Sequence, residues 1–158
     1  MIIDEKTIIL DEITDLLIST GMPSHIQGFE YIKDGIYEAV VNPGILNNMT
    51  KVFYPTIAEH FNTTAESVER NIRNCITKAY ASGSLFQSPD FKTSNCVDLT
   101  QNHCNSYVIS NYSRAIKKRM NDRYEHIEAV KNGIARVERI EALEKELAKY
   151  KRIYGELT

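Results

Sequence analysis

With 158 residues, 25% of them charged and a net charge of −2, the chain has room for one domain plus an appendage and is not, as a whole, strongly attracted to polyanions. Three cysteines, an odd number without regular pairing, suit a reducing cytoplasm and exclude a disulfide scaffold. The opening MIIDEKTIIL has acids within its first five residues and no long apolar core, so it reads as neither signal peptide nor membrane anchor. A first helix is predicted over 4 to 20. Ile9, Ile13, Leu16 and Leu17 form its apolar stripe, and its early acids suit the helix dipole. Gly21 ends it. Pro23 and Ser24 open a second helix running to about Val41, with Ile26, Phe29, Ile32, Ile36 and Val40 as its buried face. Asn42-Pro43-Gly44 then breaks the chain.

Residues 50 to 80 read as a helix-turn-helix. Pro55 sits at the first helical position of a short helix to Phe61, where its missing N–H costs nothing. Ile57, Ala58 and Phe61 mark the buried side. Asn62 fills the turn, because it tolerates positive φ better than most residues. Thr63 and Glu66 have capping-box spacing for a second helix over about Ala65 to Ala81. Ala65, Val68, Ile72, Ile76 and Ala79 face the core at helical spacing. Ser67, Arg70, Arg73, Asn74 and Thr77 share another side, edged by Glu66 and Glu69. Arg, Asn and Glu are among the side chains that can pair with base edges in a major groove. The same pattern also describes an amphipathic helix pair with a solvated charged face.

Three stretches carry a resemblance to a known family: GMPSHIQGFEYIKDGI at 21 to 36, MTKVFYPTIAEHFNTTA at 49 to 65, and VERNIRNCI at 68 to 76. Together with a weaker match in NSYVISNYSRAIKKRM at 105 to 120, they resemble the C-terminal effector domain of the master sporulation response regulator of endospore-forming bacteria. The resemblance implies an all-α domain that binds double-stranded DNA and regulates transcription. An enzyme is the weakest reading, because no nucleophile, base and oxyanion donors share a visible constellation, and no cofactor is expected. The family's DNA-contacting helix falls on 65 to 80, so Ser67, Glu69, Arg70, Arg73, Asn74, Thr77 and Lys78 become candidate DNA-binding residues. Ser67 stands where the family usually has Arg, and Asn74 where it usually has His, which leaves the preferred DNA sequence open. The family's regulator carries its phosphoacceptor on a separate receiver domain. Here the chain is expected to begin at the effector, without control by a receiver in cis.

Residues 82 to 104 read as a loop-rich connection dominated by Ser, Asn, Gly and Pro, from which Leu85, Phe86 and Phe91 are expected to fold back onto the core. Cys96, His103 and Cys104 do not make a convincing metal set. Adjacent His-Cys cannot easily serve one tetrahedral ion, and no C-x-x-C pair exists. RNA polymerase is a candidate partner for this loop. From 105 the pattern turns helical, with Val108, Ile109, Tyr112, Ile116 and Met120 on one face. Arg114, Lys117, Lys118, Arg119 and nearby Arg123 are predicted to lie on its exposed side. Thr64, Arg114, Lys117 and Lys118 are candidate phosphate contacts, against the alternative of a solvated basic face. Asp122 and Glu125 have the spacing of a new helix start, although one long helix fits equally.

A DNA-binding domain over 1 to 120 and a C-terminal extension over 121 to 158 are expected. In the extension Ile127, Val130, Ile134, Val137, Ile140, Leu143, Leu147, Tyr150, Tyr154 and Leu157 make a heptad stripe with one extra three-residue step after Val137. Such a stripe needs a partner helix, and a homodimeric coiled coil through 127 to 157 is the simplest one. Residues 1 to 113 hold 7 Lys+Arg against 13 Asp+Glu, net −6, whereas 114 to 158 hold 12 against 8, net +4. A negative DNA-binding domain needs help, and a dimer reading two half-sites would supply it. The leading reading is therefore a cytoplasmic, sequence-specific transcription regulator. The other is an adaptor that has lost DNA binding and docks a partner through the coiled coil. His25, His60, His103 and His126 lie in unrelated contexts and read as structural or surface residues.

Overall fold

The computed structural model describes residues 4–82 and 105–155. Among them all regular structure is helical: α1 (Glu5–Ser19), α2 (Gln27–Val41), α3 (Tyr54–His60), α4 (Ala65–Ala81) and α5 (Asn105–Tyr154). The chain divides into two compact units, Met1–Lys118 and Arg119–Thr158.

In the first unit, Asp4 caps α1 by accepting the Thr7 N–H at 2.7 Å. The helix closes as the sequence predicts. Gly21 takes φ 78°, Gly21 N–H donates to Ile18 O at 3.0 Å, and Met22 N–H donates to Leu17 O at 3.0 Å. This pair of bonds is a Schellman closure, which needs a residue without a Cβ penalty at the left-handed position. α2 starts later than predicted. Pro23–Ile26 stay outside it because neither Pro23 nor Ser24 caps it; Ile26 is the cap residue and supplies no side-chain bond. Two further helical stretches precede α3, a 3₁₀ turn at Pro43–Asn47 and a π turn at Met49–Phe53.

The core gathers Ile9, Ile13, Leu16 and Leu17 of α1, Phe29, Ile32 and Ile36 of α2, and Phe53 and Ile57. Val68, Ile72 and Ile76 of α4 and Val108, Ile109, Tyr112 and Ile116 of α5 complete it. Each large apolar side chain buried in this way contributes about 1.5–3 kcal/mol. Ile26, Val40 and Ala65 are only half-buried, and Phe61 is 36% exposed, its ring packed edge-to-face with Tyr31 at a centroid separation of 5.0 Å. α2 instead buries Gly28, Tyr31, Gly35 and Ala39. Both glycines are places of close approach. A Cβ on Gly28 would lie 2.2 Å from Asn71 O of α4, and one on Gly35 would lie 2.4 Å from the Phe53 ring. One polar pair is sealed inside: Thr20 Oγ1 and the Tyr112 hydroxyl are 2.5 Å apart. Burial raises the Tyr112 pKa well above the usual phenol range.

In the second unit α5 continues without interruption. There is no new start at Asp122, and Gly133 does not break the helix. The stripe from Ile127 to Tyr150 is exposed in the single chain, at between 41% and 55% for Ile127, Val130, Ile134, Val137, Ile140, Leu143, Leu147 and Tyr150.

Candidate nucleic-acid interface

α3 and α4 are joined by a four-residue connection, Phe61 to Thr64, whose start repeats the closure of α1. Asn62 adopts φ 50°, its N–H donates to Glu59 O at 3.3 Å, and Thr63 N–H donates to Ala58 O at 3.0 Å. An asparagine at this position does what Gly21 does in the earlier turn. The cap of α4 is Thr64 rather than Thr63: its Oγ1 accepts the Ser67 N–H at 3.2 Å. Thr64 directly precedes the helix and has the extended backbone of a cap, φ −102° and ψ 151°, whereas Thr63 lies one residue earlier with its N–H closing α3. Glu66 remains in the first turn, where a carboxylate suits the helix dipole.

α4 carries its apolar side inward. Val68, Ile72, Cys75, Ile76 and Ala79 are all buried. Burial also pushes the Cys75 thiol up to about 12, and its Sγ lies 3.9 Å from Met22 Sδ. A thiol so protonated and covered is inert. Alkylation at about pH 8 followed by peptide mapping should leave Cys75 unmodified in the native protein and label it fully in denaturant. Labelling of native Cys75 at the denatured rate would show that α4 is not seated as described.

The opposite side of α4 presents Arg70, Arg73, Asn74, Thr77 and Lys78 to solvent. Arg73 forms an ion pair one turn back with Glu69, and the Thr77 hydroxyl donates to Arg73 O at 2.8 Å. Ser67 is half-buried and partly engaged. Asn71 Nδ2 donates to its carbonyl at 2.7 Å and to its hydroxyl at 3.3 Å. The Asn71 contribution carries no periodic signal and escapes a reading by apolar spacing.

The backbone beneath this face is held from two sides. Gly28 of α2 rests against the Asn71 carbonyl. At the start of α5, the buried Asn105 donates from Nδ2 to the Tyr54 hydroxyl at 3.1 Å and to Glu69 O at 3.4 Å. Further along α5, Arg114 and Lys118 are exposed and Lys117 is half-buried. Cys96, His103, Cys104 and the rest of the 83–104 segment lie outside the described residues, as do the apolar residues expected to fold back from it.

The profile of the family described as sporulation initiation factor Spo0A C terminal matches residues 13–116. The chain belongs to that family. The Spo0A C-terminal family is a DNA-binding domain of a transcription factor and not an enzyme family, so this chain is a DNA-binding transcription regulator. The matched span takes in the helix-turn-helix and the buried part of α5, and it stops before the exposed stripe. No helix among the described residues is long and apolar enough to cross a membrane.

Proposed function

We propose that this Spo0A C-terminal domain binds specific double-stranded DNA by laying α4 in the major groove, and that two copies of the chain act together through the C-terminal half of α5. The observation that carries the first part is the exposed face of Arg70, Arg73, Asn74, Thr77 and Lys78 on a backbone braced by Gly28 and Asn105. Arg70 is the principal base reader, through the two parallel bonds a guanidinium makes to guanine. Arg73 reads an adjacent base when it exchanges Glu69 for DNA, and Glu69 holds it in readiness until then. Ser67 and Asn74 tune the choice of sequence. The Thr64 oxygen accepts as the α4 cap while its O–H remains able to donate to a phosphate, next to the positive end of the helix. Arg114, Lys117 and Lys118 add phosphate contacts that fix orientation.

Enrichment of bound fragments from a random duplex pool, at two salt concentrations, tests this. A recovered motif with salt-weakened binding is expected. Arg70→Ala or Arg73→Ala should each cost about 1–3 kcal/mol and relax specificity at one position. Lys118→Ala should weaken binding evenly across sequences. Unchanged affinity and unchanged motif in both arginine variants would sink the groove-reading role, and absence of any motif would favour the adaptor.

Charge supports a second copy of this chain as the partner of the stripe. With Ile140, Leu143, Leu147 and Tyr150 at the core positions, Glu146 and Lys151 flank the seam. In a parallel, in-register pair, Glu146 of each helix faces Lys151 of the other. An antiparallel pair with full overlap sets Lys131 against Lys151 and Glu138 against Glu144. Like charges disfavour that arrangement. The parallel homodimer is therefore the reading preferred.

A further inference from the structure

Away from the α4 face, three side chains converge where α2 meets the end of α3. Asp34 and Glu38 stand one turn apart on α2, and His60 is the last residue of α3. His60 Nδ1 lies 2.7 Å from Asp34 Oδ2. One ligand atom from each of Asp34, Glu38 and His60 lies within 4.8 Å of the others. The two carboxylates are half-buried and the imidazole is exposed. An ion pair accounts for Asp34 and His60 but leaves a second carboxylate aimed at the same point. Like charges four residues apart on a helix repel, and a cation between them removes the repulsion. The position of His60 is also held independently of its own side chain, because the next residue, Phe61, packs its ring on Tyr31, one turn before Asp34 on α2.

We propose that Asp34, Glu38 and His60 form a site for one divalent transition-metal cation, with solvent completing its coordination. One imidazole and two carboxylates are a donor set that suits Zn²⁺ and its neighbours. Ligands at about 2.0–2.2 Å in tetrahedral arrangement stand about 3.3 Å apart. The His60–Asp34 contact therefore opens slightly and the wider spacings close, which small rotations of the exposed imidazole and the half-buried carboxylates accomplish. The bound ion ties the first helix of the helix-turn-helix to α2, and so steadies α3. The sequence does not reveal this set because 26 residues separate Asp34 from His60.

The test is titration of the untagged full chain with Co²⁺, followed by visible absorption, and with Zn²⁺, followed by calorimetry and thermal melting. One saturable equivalent and a raised melting temperature are expected. His60→Gln, Asp34→Asn and Glu38→Gln should each weaken binding by roughly 10-fold or more and abolish the thermal shift, while a chain carrying Cys96→Ser, His103→Gln and Cys104→Ser keeps both. Wild-type binding no tighter than that of His60→Gln, or binding lost in the triple variant, would overturn the site. Metal-free melts confirm that each variant is folded. The site stands independently of the DNA reading, since none of these measurements contains DNA.

Discussion

Gly28→Ala should destabilise the protein and weaken its hold on DNA, although alanine is the better helix former. In an open helix the exchange favours the folded state by about 0.8–1 kcal/mol. At Gly28 the new carbon would sit 2.2 Å from the Asn71 carbonyl oxygen, 2.8 Å from its carbon and 2.8 Å from Cys75 Cβ. Two of these are backbone atoms of α4, so no rotamer change relieves the clash, and one helix must move off the other. Overpacking of this kind costs about 1–3 kcal/mol or more, which lowers the melting temperature of such a domain by roughly 5–15 °C. Because the displaced helix is α4, DNA affinity should fall beyond what partial unfolding explains. Gly133→Ala is the internal control: a Cβ there meets nothing within 4 Å, and the change should stabilise α5. If the two variants behave alike in melting experiments, the close approach of α2 and α4 is wrong.

Leu143→Glu combined with Leu147→Glu should convert a dimer into a monomer without loosening the first unit. Both side chains are about half exposed in the single chain, at 46% and 53%, so the monomer loses little when they change. A paired helix would instead bury four carboxylates in its seam. Sedimentation should report the loss of the dimer. Affinity for a duplex with two half-sites should drop by about 10²–10⁴, the gain normally conferred by linking two binding events, while affinity for a single half-site stays unchanged. Glu146→Lys should weaken the dimer by itself, and adding Lys151→Glu should restore it if the helices run parallel. Equal two-site affinity in wild type and the double-Glu variant would remove the dimer from the mechanism.

The main helices and the exposed polar face of α4 are visible in the residue pattern because they rest on periodic or local signals. Ile9, Ile13, Leu16 and Leu17 recur at helical steps and are all buried. Gly21 and Asn62 occupy the two left-handed positions among the described residues, which such residues fill most easily. Features resting on the absence of a side chain, or on distance along the chain, are not visible. Gly28 and Gly35 carry no hydropathy, yet they decide how closely α2 approaches its neighbours. Thr63 and Thr64 carry the same hydroxyl, and only the point at which α4 begins, directly after Thr64, selects between them. The 3₁₀ and π turns between α2 and α3 hide behind Pro43 and Gly44, which read locally as a break. Asp34, Glu38 and His60 become neighbours only through the packing of α3 on α2.

The bonds that anchor the start of α5 have a consequence for how the protein is made. The Tyr112–Thr20 pair spans 92 residues, and Asn105 reaches back 51 residues to Tyr54 and 36 to Glu69. Contacts between such distant residues form late, since the chain between them must first lose its freedom. During synthesis the helix-turn-helix leaves the ribosome well before Val108, Ile109, Tyr112 and Ile116 can cover the apolar sides of the earlier helices. Until then the nascent chain carries an unfinished core, the kind of intermediate most exposed to aggregation and most dependent on chaperones. Competence to bind DNA is therefore expected only after Ile116 has left the ribosome.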